Sequence, residues 1–284
     1  MNWEGMMMTT STLLRGVCIA AVAAGAFGAT AMADTVLYSN GFEVNANGWD
    51  LLGGSGGTRV ASGGGTLSAP SASGSFHGEV AGTGFTRFGG YNYGAGNAPT
   101  AFLEYRTSLA IYLDVSVGAS NDTRFDYSSA VSNAAGNHRR DFIFNAGFYN
   151  TGGPNRFIVS ASNNSVGNPP GGTNPVTIGT TGWYTFAHHF YDNGGVLAVD
   201  MTISDSSNNL VTSWTRSDVS DVIGVGGTVG GSRYGWFPHN AFGTLAIDNA
   251  LLSVIPLPPA AWAGLSTMAG IAGIGFIRRR RQLA

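Results

Sequence analysis

Apolar and polar positions alternate with period two in several stretches of this chain, and its middle lacks the 3.6-residue period of an amphipathic helix. Leu109, Ile111, Leu113, Val115 and Val117 alternate with Ala110, Tyr112, Asp114 and Ser116. Phe142, Phe144, Ala146 and Phe148 form a second set, and Leu197, Val199, Met201 and Ile203 a third. In the aromatic run 183–191, Tyr184, Phe186, His188 and Phe190 share one parity. Successive side chains of a strand point to opposite faces, so each pattern predicts a strand with one face on a core and the other wetter.

Turn chemistry separates these runs. Asp192-Asn193-Gly194-Gly195 marks a hairpin between 183–191 and 196–204. The segment 205–209 then leads to a further strand at 210–215, and the segments 53–65 and 163–174 read as long loops. The 44 glycines disfavour helices, while 11% aromatic residues supply a core. With no internal repeat and no break in composition, residues 34–253 are expected to form one all-β domain, a two-sheet antiparallel jelly-roll sandwich.

The two ends read differently. Arg15, the short apolar run 17–27 and Ala31-Met32-Ala33 before Asp34 make residues 1–33 a signal peptide, its helix recognised by the secretory translocon and cut between Ala33 and Asp34. At the other end, the proline motif 255–259 precedes the apolar run 260–277 and the cluster Arg278, Arg279, Arg280 and Arg281. Eighteen residues of helix span about 27 Å, enough for a bilayer core. The arginines would hold the extreme C-terminus in the cytoplasm, leaving the domain outside and tethered for a time to the inner membrane.

Charge and residue types exclude several chemistries. Formal net charge is −2, but residues 34–253 carry nine arginines against fifteen acids, a net −6, so no nucleic-acid partner is expected. There is no lysine, which excludes Schiff-base and P-loop chemistry. The only cysteine, Cys18, lies in the leader, so the mature domain has no disulfide and no thiolate metal site. Gly53-Gly54-Ser55-Gly56-Gly57 fits G-x-S-x-G but lacks the strand and helix a nucleophile elbow requires. Glycosidases need two carboxylates at set separation, and Glu43, Glu79 and Glu104 are each isolated. Asp122, Asp126, Asp218 and Asp221 read as loop and turn residues. His188 and His189 must face opposite ways on a strand, and His188 falls on the core side. Exposed aromatics can stack on sugar rings. Tyr91 and Tyr93 in a Gly/Asn-rich segment, and Tyr234 and Trp236 after a Gly-rich loop, are the candidates, with a core role the competing reading for the second pair.

The tail, with Val254-Ile255-Pro256-Leu257-Pro258-Pro259 as its motif, resembles the PEP-CTERM sorting signals of Gram-negative bacteria in their V-P-L-P-A variant. That resemblance covers residues 254–284 and implies an exosortase-type transpeptidase as partner, with Pro256, Leu257, Pro258, Pro259 and the four arginines as the signal. It also implies hosts that make extracellular polysaccharide. The stretch 182–205, extended through Tyr234-Gly235-Trp236-Phe237, resembles the concanavalin A-like or laminin-G-like sandwich. The flanks, Asn40-Gly41-Phe42-Glu43 and Ile247-Asp248-Asn249, resemble the ends of carbohydrate-binding jelly-rolls. The two resemblances agree on a jelly-roll and differ on its topology. The second implies one cofactor, a structural calcium ion held between Glu43 and Asp248. The expected function is an exported, C-terminally sorted surface or extracellular-matrix protein with a non-catalytic, glycan-binding sandwich. The alternatives are a carbohydrate-active enzyme on a concanavalin A-like fold, and an adhesin that binds other proteins.

Overall fold

The structure, a computed structural model, describes residues 33–51, 57–81, 86–88, 102–164, 169–224 and 226–256. The signal helix and the transmembrane helix expected at the two ends lie outside these residues. Among the described residues no helix is long and apolar enough to cross a membrane.

Two antiparallel sheets make a sandwich. In chain order the strands are β1 (Thr35–Asn40), β2 (Trp49–Leu51), β3 (Thr58–Ala61), β4 (Phe76–Ala81), β5 (Thr86–Phe88), β6 (Tyr105–Leu113), β7 (Thr123–Asn133) and β8 (His138–Tyr149). They continue with β9 (Arg156–Asn163), β10 (Thr173–Ile178), β11 (Gly182–Asp192), β12 (Val196–Asp205), β13 (Leu210–Val222), β14 (Thr228–Asn240) and β15 (Thr244–Val254). The first sheet runs β13-β12-β11-β6-β15-β4-β3, with β1 also paired to β15; the second runs β10-β9-β8-β7-β14-β5-β2. The predicted hairpin joins β11 to β12, and its turn is closed by Gly195 N–H donating to Asp192 Oδ1 at 2.6 Å. Gly194 and Gly195 both take positive φ there, 68° and 91°, a conformation glycine adopts without steric cost.

The expected alternations fill the core. Tyr184, Phe186, His188 and Phe190 of β11 and Leu197, Val199, Met201 and Ile203 of β12 meet Phe125, Tyr127 and Val131 of β7. Phe142, Phe144, Ala146 and Phe148 of β8 complete the same cluster. Aromatic rings dominate this interior, many of them packed edge to face, as with Phe144 against Phe186 at 5.2 Å. Polar bonds also join the sheets: Thr107 and Ser129 share a hydroxyl bond of 3.0 Å, and Arg140 of β8 pairs with Asp218 and the buried Asp221 of β13.

Four expectations are corrected. The loop expected at 53–65 contains β3, whose residues 58–61 pair antiparallel with residues 79–76 of β4. Val115 and Val117 fall beyond β6, because Asp114 Oδ1 accepts the Ser116 N–H and turns the chain. Asp126 lies in the middle of β7 and is fully buried, not in a loop. Asp218 and Asp221 lie on β13, clasped by Arg140.

Candidate functional site

The outer face of the first sheet divides into a covered part and an open part. Residues 62–75, between β3 and β4, fold back over β4, β15 and the ends of β6 and β11. Beneath them Ala69, Ala110, Trp183 and Ala246 make a small apolar cluster. Three carboxylates hold this strap by its backbone. Glu79 accepts the N–H groups of Thr66 and Leu67, both at 3.0 Å. Asp248 Oδ2 accepts those of Ala72 and Ser73 at 3.0 and 3.2 Å. Glu43 Oε1 accepts those of Ser75 and Phe76, both at 3.0 Å. Trp183 Nε1–H in turn donates to Pro70 O at 2.8 Å.

Beyond the strap the face is open, and strand register sets its layout. One row places Arg106, His189, Asp200 and Thr215 side by side across β6, β11, β12 and β13. The next row is Ser108, Ala187, Thr202 and Ser213, and a third brings Ala110, Thr185 and Ser204 together. Apart from Ala110 these positions are half-buried or exposed. The small side chains of the second and third rows leave flat ground of hydroxyl and methyl groups, and with the first row and Tyr191 the strip runs about 20 Å along β11 and about 14 Å across.

Tyr191 and His189 stand at one end of the strip, their rings 5.3 Å apart and tilted by 37°. Both are tethered at the polar edge. Tyr191 hydroxyl donates to Asp200 Oδ1 at 3.4 Å, and that carboxylate also takes the Thr215 hydroxyl at 2.6 Å. His189 Nε2 bonds Glu104 Oε1 at 2.7 Å. A half-exposed ring fixed in this way is pre-organised to receive the apolar face of a ligand.

The residues expected from sequence land elsewhere. Tyr91, Tyr93 and Ser55 lie outside the described residues, as do Leu257, Pro258, Pro259 and the arginine cluster; Pro256 is half-buried. Tyr234 and Trp236 are 2% and 8% exposed, so neither offers a ring face to a sugar. Ala33 and Asp34 are exposed at the start of the domain.

Glu43 and Asp248 are brought to the same strap, but the arrangement does not fit calcium. Asp248 Oδ1 accepts the Asn249 N–H at 2.7 Å, so all four carboxylate oxygens of the pair already face backbone donors. Those N–H dipoles point positive charge at the place a cation would occupy. Among the described residues no group of three or more His, Cys, Asp or Glu gathers elsewhere. The backbone donors take the clipping role assigned to the ion. Burial pushes the Asp248 carboxyl up to about 6 against three N–H bonds that favour its charge, and the nearby Glu43 charge adds to the rise.

The second sheet carries one unusual acid on its outer face. Asp126 Oδ1 accepts from Asn145 Nδ2 at 2.6 Å, and Oδ2 is buried without a hydrogen-bond partner among the described residues. Burial raises its carboxyl to about 6. Its cross-strand neighbours are Asn145 and His239, so no second carboxylate pairs with it in register.

No protein-family model matches the chain, and no curated protein matches it. Among solved structures a match is described as the CBM2 module of Lactobacillus casei BL23 phage J-1 evolved Dit. It shares 9% identity, covers 79% of this chain and 97% of that one, and superposes with a TM-score of 0.38. A likeness at that level carries no inference about what this chain binds.

Proposed function

We propose that this protein is an exported surface or extracellular-matrix component whose sandwich binds glycan without altering it. The leader would take it across the inner membrane through the secretory translocon. The tail 254–284 would then deliver it to an exosortase-type membrane transpeptidase, which removes the tail and frees the domain for the surface. The observation that carries the binding reading is the open strip of the first sheet, where small hydroxyl side chains lead up to the tethered rings of Tyr191 and His189. Flat polar ground beside a fixed aromatic face suits an extended, hydroxyl-rich chain. The acids nearest the strip support a non-catalytic role, since each is engaged in holding a side chain: Glu104 by His189, and Asp200 by Thr215 and Tyr191.

The test is a glycan-array screen of the full chain in a detergent with no sugar headgroup, run beside an assay for released reducing ends. Binding that is lost in Tyr191→Ala, with no sugar released, is the expected result. Release of product would install the enzyme reading in its place. Binding to proteins alone would install the adhesin.

A further inference from the structure

We propose that the ligand of this strip is a neutral polysaccharide, discriminated from charged ones by the placement of carboxylates around it. This rests on the glycan reading above and adds the chemical class. Besides the Tyr191 hydroxyl, the titratable groups that border the strip are Asp34, Glu104, Arg106, His189 and Asp200. The two groups able to carry positive charge already face acids. Arg106 lies 3.6 Å from Asp34 Oδ2, and His189 is bonded to Glu104. Asp200 has hydroxyl partners and, among the described residues, no cationic one. It stands in the row between His189 and Thr215, in the middle of the ground a ligand would cross.

A uronate or sulfated chain laid along β11 would bring its anions beside Asp200, while the Arg106 guanidinium lies at the β6 end of the row and is shared with Asp34. Like charges placed together reject a partner more sharply than lost contacts do. A neutral sugar meets the opposite situation. Its hydroxyls can donate to the Asp200 carboxylate and exchange bonds with Thr185, Thr202, Ser204, Ser213 and Thr215. A cationic glycan finds one acid within the rows, Asp200, and its remaining charges would lie over hydroxyls or beside Arg106 and His189. The length of the strip, about 20 Å along β11, fits a run of several sugars and not a single terminal one.

The experiment measures the full chain against four neutral polymers (β-glucan, mannan, galactan and dextran), polygalacturonate as the anionic probe and chitosan as the cationic one. At least one neutral polymer is expected to bind at least tenfold more tightly than either charged one, and to do so equally at low salt and at about 0.15 M salt, where exposed charges are screened. Tyr191→Ala should weaken that binding tenfold or more, and Asp200→Asn should narrow the gap to polygalacturonate. Tighter binding of polygalacturonate or chitosan, still abolished by Tyr191→Ala, would overturn the neutral class and leave the glycan reading standing. Binding indifferent to Tyr191→Ala, or none to any polymer, would remove the strip as a glycan site and the class with it.

Discussion

Protonation of His188 sets a limit on how far this fold withstands acid. The ring is fully buried between Tyr127, Phe144 and Phe190, with centroids 5.6, 4.8 and 5.9 Å away. Nε2–H donates to Phe142 O at 3.0 Å, while Nδ1 is buried with no partner among the described residues. A second proton would place a charge among aromatic rings, so burial pushes the imidazole down to about 3, against an upward pull from the Phe142 carbonyl. Unfolded, the same ring titrates near 6.5. The unfolded state therefore binds more protons between these values. The contribution is fully present above 6.5 and is lost as pH falls toward 3.

Linkage gives a loss of about 2 kcal/mol by pH 5 and about 3 kcal/mol by pH 4. Asp126 and Asp248, raised to about 6, act in the opposite sense, since their contribution is present at low pH and lost as pH rises through 6. A single stability curve mixes these effects, and subtracting a His188→Leu variant isolates the first. That variant loses one hydrogen bond, about 1 kcal/mol at neutral pH. Urea unfolding of both proteins from pH 7.5 to 4, followed by tryptophan fluorescence, should show the gap between them closing and then reversing as pH falls. Parallel curves across the range would refute the argument.

Other consequences can be checked in the same format. At Gly78, an added Cβ would lie 2.5 Å from the ring of the buried Phe42, so Gly78→Ala should cost about 1–3 kcal/mol in urea unfolding through overpacking. Arg140→Ala would leave the buried Asp221 without its guanidinium and should cost about 3 kcal/mol, part of it recovered in Arg140→Ala/Asp221→Asn. Because Glu43 and Asp248 are filled by backbone N–H groups, EDTA and added calcium should leave the melting temperature of the full chain unchanged; a rise with calcium would restore the ion to that site.

Strands with a uniformly apolar face were legible in the sequence because burial on one side only leaves a plain alternation, as in β11 and β12; β8 was legible through Phe142, Phe144, Ala146 and Phe148 although both its faces are buried. β7 was not. Its outward Asp126, Ser128, Ala130 and Ser132 are buried as completely as its core side, so a polar residue such as Asp126 reads as a turn. β3 was hidden by the glycines around it. The parity of 183–191 did place His189 and Tyr191 on the wetter face, yet their value as a site depends on what lies beside them. Thr202, Ser213 and Thr215 become neighbours only through the pairing of β11, β12 and β13. Four register shifts where β14 meets β7 spoil any parity argument there, which is why Tyr234 and Trp236 could be taken for a surface platform. The Glu43 and Asp248 positions were anticipated, but their partners were not, because backbone donors from a Ser-rich strap leave no residue-type signal.

The central claim, that the open strip of the first sheet binds glycan through Tyr191 without cutting it, is tested most directly by equilibrium binding of the full chain and its Tyr191→Ala variant to the best ligand on a glycan array. Circular dichroism of both proteins would verify that the fold is kept. The account predicts a tenfold or greater loss of affinity, about 1.4 kcal/mol or more, with an unchanged melting temperature. Equal affinity in the two proteins would contradict it.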